Sequence, residues 1–185
     1  MVRASTRQVV LAGLFVALGL IMPFLTAQVP ALGARFLPMH LPVLLAGLVI
    51  GGPLGLLVGL VTPLLRSVLF GMPPMFPTAV AMAFELAAYG LFIGLVYKKT
   101  GWVYPALISA MLGGRLVWGL VSLVLYGLSG SSFTWQMFAA GAFLNALPGI
   151  VFQLLAIPLI MFGLQRAGIL HVPGKGRRWD MGRRI

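Results

Sequence analysis

The sequence predicts an all-α polytopic membrane protein with six transmembrane helices and both termini in the cytoplasm. Of its 185 residues, 61% are hydrophobic and only 8% are charged, whereas a typical soluble domain has about 25% charged residues. The mean hydropathy is +1.07. A chain of this composition cannot cover a water-facing surface, so its apolar segments are expected to cross a lipid bilayer.

Six apolar segments account for the predicted spans. The first follows Arg3 and Arg7, and its small residues Gly13 and Ala17 share a helix face that lets another helix approach closely. We interpret it as a span and not as a signal peptide, because no cleavage site followed by a soluble mature chain is present. An irregular segment, 28–35, separates it from the second span. The predicted spans are 8–27, 36–50, 54–70, 78–97, 102–126 and 135–164.

Glycine and proline mark the breaks between the later spans. The second and third spans are separated at 51–53, and glycines recur every four residues across this break, which suits closely packed helices. The loop at 71–77 has three prolines and no charge, so it is expected to be stiff. After a polar loop at 127–134, the sixth span is expected to tilt or break at Pro148 or Pro158. The recurring glycines are Gly47, Gly51, Gly55 and Gly59.

The basic residues set the predicted orientation. The N-terminal arginines, Lys98 with Lys99, and the basic tail belong on one side of the membrane under the positive-inside rule. This requires an even number of spans before Lys98 and an even number in all. A rival count joins 41–61 into one span and leaves 62–70 re-entrant, which would place the tail outside. We therefore expect a six-helix transmembrane domain at 1–167 and a basic cytoplasmic tail at 168–185.

Composition excludes several function classes. The net charge of +11 does not indicate a nucleic-acid partner, because the basic residues stand in short clusters between apolar runs. The chain has no cysteine, so disulfides, thiolate metal sites and a cysteine nucleophile are excluded. The sequence has no Walker phosphate loop, HExxH motif or carboxylate pair, and we predict no cofactor, no metal and no catalytic residue. Only Glu85 could carry a proton within the membrane, so a proton-coupled transporter is not indicated.

Four polar residues lie at depths that the topology does not explain: Arg66, Glu85, Arg115 and Asn145. A charge near the bilayer centre costs roughly 2.5–3.5 kcal/mol on insertion scales, so such residues usually face the interior of a bundle and carry function. At about 1.5 Å per residue, all four fall in a layer between the outer half and the middle of the membrane. His40, at the start of the second span, either caps that helix or lines a cavity in this layer.

Helical spacing gives each of these residues neighbours. Facing inward, they would form a pocket with one carboxylate, one or two guanidinium groups, an amide and aromatic rings, which is the composition of a small-molecule site. The alternative is that Glu85 pairs with Arg115 or Arg66 only to hold helices in register, and that Asn145 and Gln153 join helices by hydrogen bonds. The three shared faces are Met82, Glu85 and Tyr89; Arg115, Trp118, Ser122 and Tyr126; and Gly141, Asn145, Gly149 and Gln153.

Two stretches, LPMHLPVLLAGLVIGGPLGLLVG at 37–59 and TPLLRSVLFGMPPMFPTAVAMAFELAAYG at 62–90, resemble the substrate-binding S components of energy-coupling factor (ECF) vitamin transporters. Gly13 and Ala17 add to the resemblance, although the family usually has two alanines there, and it covers about residues 5–167. It implies a six-helix, non-enzymatic protein of the bacterial plasma membrane that binds a vitamin from outside with high affinity.

The same resemblance implies partners. They are a membrane coupling subunit, two cytosolic ATPase subunits and the surrounding lipids, and the ATPases would supply the energy for transport. Gly13 and Ala17 would contact the coupling subunit, while the outer segments 28–35 and 71–77 would cover the pocket. The S component is thought to topple in the membrane and to release its substrate inward.

Within the family, the sequence is most similar to S components assigned to vitamin B6. Pyridoxine has a protonated ring nitrogen and a phenolate-like oxygen, which Glu85 and either Arg115 or Arg66 would complement. Trp118 or Tyr89 could stack on its ring. The predicted substrate-binding residues are Glu85, Arg115, Asn145, Trp118, Tyr89, Arg66, His40 and Ser122.

Three alternatives stand beside this assignment. Pantothenate would place its carboxylate on an arginine and its hydroxyls and amide on Asn145 and Ser122, but it has no ring for the aromatic residues and no cation for Glu85. A membrane enzyme with Glu85 as base would need a second catalytic group. A structural or regulatory membrane subunit would have polar residues that pair only with each other.

Overall fold

Helices make up nearly all of the computed structural model, which describes residues 5–26 and 30–170. A 3₁₀ turn at Met22–Thr26 extends the first helix, and π-helical turns occur at Met75–Ala79 and Ala140–Leu144. The α-helices in the described ranges are α1 (Thr6–Ile21), α2 (Pro30–Phe36), α3 (His40–Ile50), α4 (Gly52–Phe70), α5 (Val80–Thr100), α6 (Val103–Leu128), α7 (Trp135–Ala139) and α8 (Leu147–Arg166).

Five helical segments in the described residues are long and apolar enough to cross a membrane. The shorter apolar helix α3 has 11 residues and is therefore about 16 Å long, against a hydrocarbon core of about 30 Å. The five long segments are Thr6–Leu25, Gly52–Phe70, Met75–Thr100, Val103–Leu128 and Trp135–Arg166.

Contacts between neighbouring helices fix the direction of α1, α4 and α5. Gly19 of α1 packs on Thr62 of α4, and further along both segments the Phe24 and Phe70 rings are in contact. α1 and α4 are therefore parallel. The start of α4 lies beside the end of α5, because Gly52 packs on the backbone of residues 91–95. These two helices are therefore antiparallel.

The remaining contacts complete the arrangement. α3 is parallel to α5, because His40 lies beside Glu85 and Gly47 packs on Gly90. α6 is antiparallel to α5, because Gly113 packs on Phe92 while Arg115 reaches Glu85. Near the end of α8, Gln165 Nε2 donates a 3.0 Å hydrogen bond to the Tyr97 hydroxyl near the end of α5. One end of the bundle, which we call the basic end, therefore carries Arg7, Lys98, Lys99 and Arg166.

Glycines allow α3, α4 and α5 to pack backbone against backbone. A Cβ on Gly59 would lie 2.2 Å from the Leu86 carbonyl oxygen, and one on Gly90 would lie 2.2 Å from the Gly55 carbonyl oxygen. The predicted packing role is confirmed for Gly47, Gly55 and Gly59. It is wrong for Gly51, which has φ +93° and no neighbour for a Cβ within 4 Å. Gly51 instead supplies the left-handed backbone that separates α3 from α4.

The structure corrects two predicted segments. The rival count with 41–61 as one span is wrong, because α3 and α4 run in opposite directions on either side of Gly51. Part of the segment expected to be irregular is helix α2, whose first residue, Pro30, suits a helix start because no backbone N–H is needed there. Residues 28 and 29 of that segment lie outside the described residues, as do residue 27 and the tail from 171 to 185.

The sixth predicted span breaks before its prolines. A π-helical turn at Ala140–Leu144 and a turn at residues 145–146 separate α7 from α8. Pro148 lies in the first turn of α8, where a missing N–H costs little, and Pro158 lies inside α8 without ending it. Gly141, in the break, is in close contact with Trp118, since a Cβ there would lie 2.7 Å from the indole Cη2.

The substitution Gly90→Ala is expected to destabilise the bundle. Its Cβ would meet a backbone carbonyl on α4, so α4 and α5 would have to separate, at a cost of about 1–3 kcal/mol in unfolding free energy. Thermal unfolding in detergent measures this as a lower Tm. Gly163→Ala is the matched control, because a Cβ there meets nothing within 4 Å and alanine favours a helix interior. Equal Tm values for the two variants would contradict the close contact.

Candidate functional site

A buried ion pair joins α5 to α6 inside the bundle. Arg115 Nη1 lies 2.7 Å from Glu85 Oε1, and the two residues are 5% and 1% exposed. Desolvating two charges is costly unless they are paired and hydrogen-bonded. Of the two arginines that the sequence offered to Glu85, the partner is Arg115.

His40 and Tyr89 complete the surroundings of the carboxylate. His40 Nε2 lies 3.4 Å from Glu85 Oε1, so the tautomer with a proton on Nε2 donates a weak hydrogen bond to it. The His40 ring meets the Tyr89 ring edge to face, with centroids 5.1 Å apart. The Tyr89 ring is in close contact with Gly114, where a Cβ would be 2.5 Å from the ring. We call His40, Glu85, Tyr89 and Arg115 the Glu85 cluster.

The position of His40 excludes one of its two predicted roles, the capping of α3. The α3 N-terminus has no side-chain cap hydrogen bond, and the His40 side chain, 1% exposed, is directed at Glu85 on α5. His40 therefore belongs to the Glu85 cluster and does not cap its own helix.

Several buried polar atoms around this cluster have no hydrogen-bond partner within residues 5–26 and 30–170. They are His40 Nδ1, Arg115 Nε, Arg115 Nη2 and Ser122 Oγ, together with Gln153 Nε2 on α8. Leaving a buried donor unpaired costs about 1–3 kcal/mol, and such groups call for a partner such as water or a ligand. A polar molecule with several hydroxyl groups would satisfy them, because a hydroxyl accepts from a guanidinium and donates to an unprotonated imidazole nitrogen.

Aromatic rings lie on α6 and α7 next to this layer. Trp118, one turn from Arg115, is half-buried and stacks on Phe138 with centroids 6.1 Å apart. Phe133 meets the same indole edge to face at 5.6 Å and also contacts Tyr126. Trp118 thus links α6 to the loop before α7 and to the π-helical break.

The structure places Arg66 away from the Glu85 cluster. Its Nη1 donates to the Leu20 carbonyl oxygen, and its guanidinium lies 5.0 Å from the Phe24 ring centroid and 5.2 Å from that of Phe70. Leu20 is in the last turn of α1, where carbonyls lack a helical partner, and aromatic faces attract a cation. Arg66 therefore ties α1 to α4 and does not share the site.

The structure does not place Asn145 on the inward-facing side that helical spacing predicted. Its side chain is exposed, because the break at residues 140–146 interrupts the helical spacing on which the prediction depended. The same prediction holds on the far side of the break, where Gly149 and Gln153 are both buried on α8. The residues described by the structure include no group of three His, Asp or Glu side chains that could hold a metal ion.

A comparison with protein families supplies the identification. Residues 7–172 match the family model described as "ECF transporter, substrate-specific component". The chain belongs to this family of S components. S components are substrate-binding subunits of transporters and not enzymes, and they work with ECF coupling and ATPase subunits. Neither the curated proteins nor the solved structures gave a match.

Membership of this family agrees with the long apolar helices of the chain. Its long apolar helices make it a multi-pass membrane protein. Gly13 and Ala17 are both exposed on α1, and a Cβ on Gly13 would meet nothing within 4 Å. This small-residue face is therefore unoccupied by the rest of the described chain and accessible to another helix.

A double-mutant cycle on Glu85 and Arg115 tests the ion pair. Glu85→Gln or Arg115→Gln alone leaves one buried charge unpaired, and we expect each to lower the unfolding free energy by about 3–5 kcal/mol. The double variant should lose less than the sum of the two, as measured by denaturant unfolding in detergent. The matched control is the cycle of Glu85→Gln with Arg66→Gln, whose effects should add because these side chains have separate partners. Additive effects for Glu85 and Arg115 would contradict the pairing.

Proposed function

We propose that this S component is the high-affinity binding subunit for vitamin B6, pyridoxine or pyridoxal, and that the vitamin binds at the Glu85 cluster. The observation that carries the proposal is the buried Glu85–Arg115 ion pair with unpartnered polar atoms on Arg115 and on the neighbouring His40. A pair that served only to join two helices would need no unpartnered polar atoms beside it. A ligand that completes the hydrogen bonds explains why they are buried.

The chemistry of pyridoxine fits these groups one by one. Its phenolate-like oxygen would accept from the free Nε and Nη2 of Arg115, since charge-assisted hydrogen bonds to guanidinium are the strong ones. Its protonated ring nitrogen would donate to the Glu85 carboxylate. Tyr89 and the half-buried Trp118 offer aromatic faces or edges to the pyridine ring, and His40 Nδ1 and Ser122 Oγ remain for its hydroxyl groups.

Pantothenate is the second candidate, favoured by the free donors of Arg115. Its carboxylate would also lie near the Glu85 carboxylate, and two like charges in a buried site repel each other. Asn145, which could have taken its amide, is exposed. A structural subunit that binds no vitamin is the third candidate, and it predicts that the ion pair contributes to stability alone.

The topology that accompanies this function has six crossings with both termini in the cytoplasm of a bacterium. α3 would cross together with α2 and the turn at 37–39, and residues 1–167 would form the transmembrane domain with 168–185 as its basic tail. The positive-inside rule assigns the basic end of the bundle to the cytoplasm. The exposed face with Gly13 and Ala17 would bind the coupling subunit, which carries two ATPase subunits.

Purified protein in detergent is expected to bind pyridoxine or pyridoxal. A ligand at 100 times its Kd stabilises the folded state by about 2.7 kcal/mol, which a thermal-shift screen against B vitamins detects as a raised Tm. Arg115→Gln should weaken binding about 10- to 150-fold, as expected for a hydrogen bond to a charged group, and isothermal titration calorimetry measures this. Arg66→Gln is the control and should bind as the wild type does.

The outcomes separate the candidates. A shift with pantothenate alone would keep the S-component role and overturn the B6 assignment. Folded protein that shifts with no vitamin would favour the structural subunit. Loss of binding in Arg66→Gln but not in Arg115→Gln would move the site to the outer end of α1 and α4.

Single-cysteine labelling tests the proposed topology. The chain has no cysteine of its own, so Ser131→Cys and Thr100→Cys each provide a unique thiol at an exposed position. In intact cells, a membrane-impermeant maleimide should label Ser131→Cys, whereas Thr100→Cys should react only after the membrane is permeabilised. The reverse pattern would overturn the cytoplasmic assignment of the basic end.

A further inference from the structure

Gln153 on α8 is a buried polar residue that neither the ion pair nor the packing of the bundle explains. It is 1% exposed, and its Nε2 has no hydrogen-bond partner among the described residues. A glutamine that joined two helices would place its amide donor on a carbonyl of the neighbouring helix. The partner of this donor therefore lies outside the described residues, and a bound molecule would fill that role.

The register of α8 places Gln153 near the start of α3. The buried residues of α8 form one stripe with a spacing of four, Gly149, Gln153, Ile157 and Met161. Gly149 packs on the backbone at Phe36, and Met161 lines a cavity together with Leu48 of α3. α8 therefore runs in the same direction as α3, and Gln153, one turn after Gly149, lies on the part of α8 near the start of α3.

Unpartnered polar atoms occur on α8 itself and on two helices that contact it. α8 packs on α3 and on α6. The buried side-chain atoms without a partner in the described residues all belong to these three helices: His40 Nδ1, Arg115 Nε and Nη2, Ser122 Oγ, and Gln153 Nε2. Glu85 lies on α5, on the other side of the His40 and Arg115 side chains. The unpartnered polar atoms are therefore on α8 and on the two helices α3 and α6 that contact it.

We propose that Gln153 is a substrate-orienting residue, whose side-chain amide donates a hydrogen bond to a hydroxyl oxygen of the vitamin. This inference rests on the proposed function, because it takes the ligand to be bound at the Glu85 cluster. A neutral amide suits an alcohol oxygen, whereas the phenolate-like oxygen is better matched by the Arg115 guanidinium. Gln153 thus fixes which way round the pyridine ring lies between the charged pair and α8.

Isothermal titration calorimetry with pyridoxine and its two deoxy analogues tests the inference. The analogues lack the hydroxyl of either the 4- or the 5-hydroxymethyl group. Gln153→Met, which keeps the length of the side chain, is expected to weaken pyridoxine binding about 3- to 10-fold, the value of one neutral hydrogen bond. It should leave the affinity for one of the two deoxy analogues unchanged, because that analogue has no oxygen for Gln153. Asn145→Leu is the control on an exposed amide and should bind all three ligands as the wild type does.

The outcomes distinguish this inference from the proposed function. Wild-type protein that binds pyridoxine, together with a Gln153→Met variant that binds it equally well, would overturn the role of Gln153 and leave the B6 assignment standing. An equal loss for all three ligands would also overturn it, since packing alone would then explain the effect. Wild-type protein that binds no pyridoxine would overturn both. Should Gln153→Met fail to fold, Gln153→Asn, which shortens the same amide, is expected to show the same ligand-dependent loss.

Discussion

Backbone contact among α3, α4 and α5 is the constraint on which the rest of the structure depends. Gly55 and Gly90 meet where any side chain would collide with a carbonyl, so the three helices have one relative position. That position brings the start of α3 beside Glu85 on α5. On α6, the absence of a side chain at Gly114 likewise leaves room for the Tyr89 ring. In a membrane, where apolar side chains gain little from leaving lipid, such close packing replaces the hydrophobic effect as the main source of association. The charged groups are thus held by helices that cannot slide.

Because the helices are fixed, each charged side chain buried among them has a defined set of partners, and its burial is costly where partners are missing. Glu85 and Arg115 neutralise each other, yet the guanidinium keeps two unpartnered nitrogens and His40 keeps an unpartnered Nδ1. Arg66 differs, since a carbonyl and two aromatic rings surround its guanidinium at the end of α1 far from the basic end. One arginine is used to join helices, and the other remains incompletely bonded. This difference in hydrogen bonding, and not the presence of charge in the membrane, is what separates Arg115, the proposed ligand-binding residue, from Arg66.

The sequence predicted the ends of the long helices well and the direction of their side chains poorly. Counting along the spans placed Arg66, Glu85 and Arg115 in one layer, and the apolar lengths gave helices whose ends differ by only a few residues for α4 and α6. The side of the bundle that each residue faces depends on how the helices are rotated, which spacing within one helix does not determine. Arg66 was therefore misplaced. Asn145 was misplaced for another reason, which is that helical spacing assumes an unbroken helix. The sequence predicted a break at the later prolines, and nothing in it marked the π-helical turn at Ala140–Leu144.

Net charge links the arrangement of the site to the proposed ligand. The Glu85–Arg115 pair is neutral as a whole, and pyridoxine with a protonated ring nitrogen and an ionised phenol is neutral as well. Binding would then add no net charge to an interior in which an unpaired charge is expensive. Pantothenate would add one negative charge beside Glu85. A site built from one carboxylate, one guanidinium and neutral donors therefore suits a zwitterion better than an anion. The chain also carries no ATP-binding motif, which agrees with a family in which separate ATPase subunits supply the energy for release.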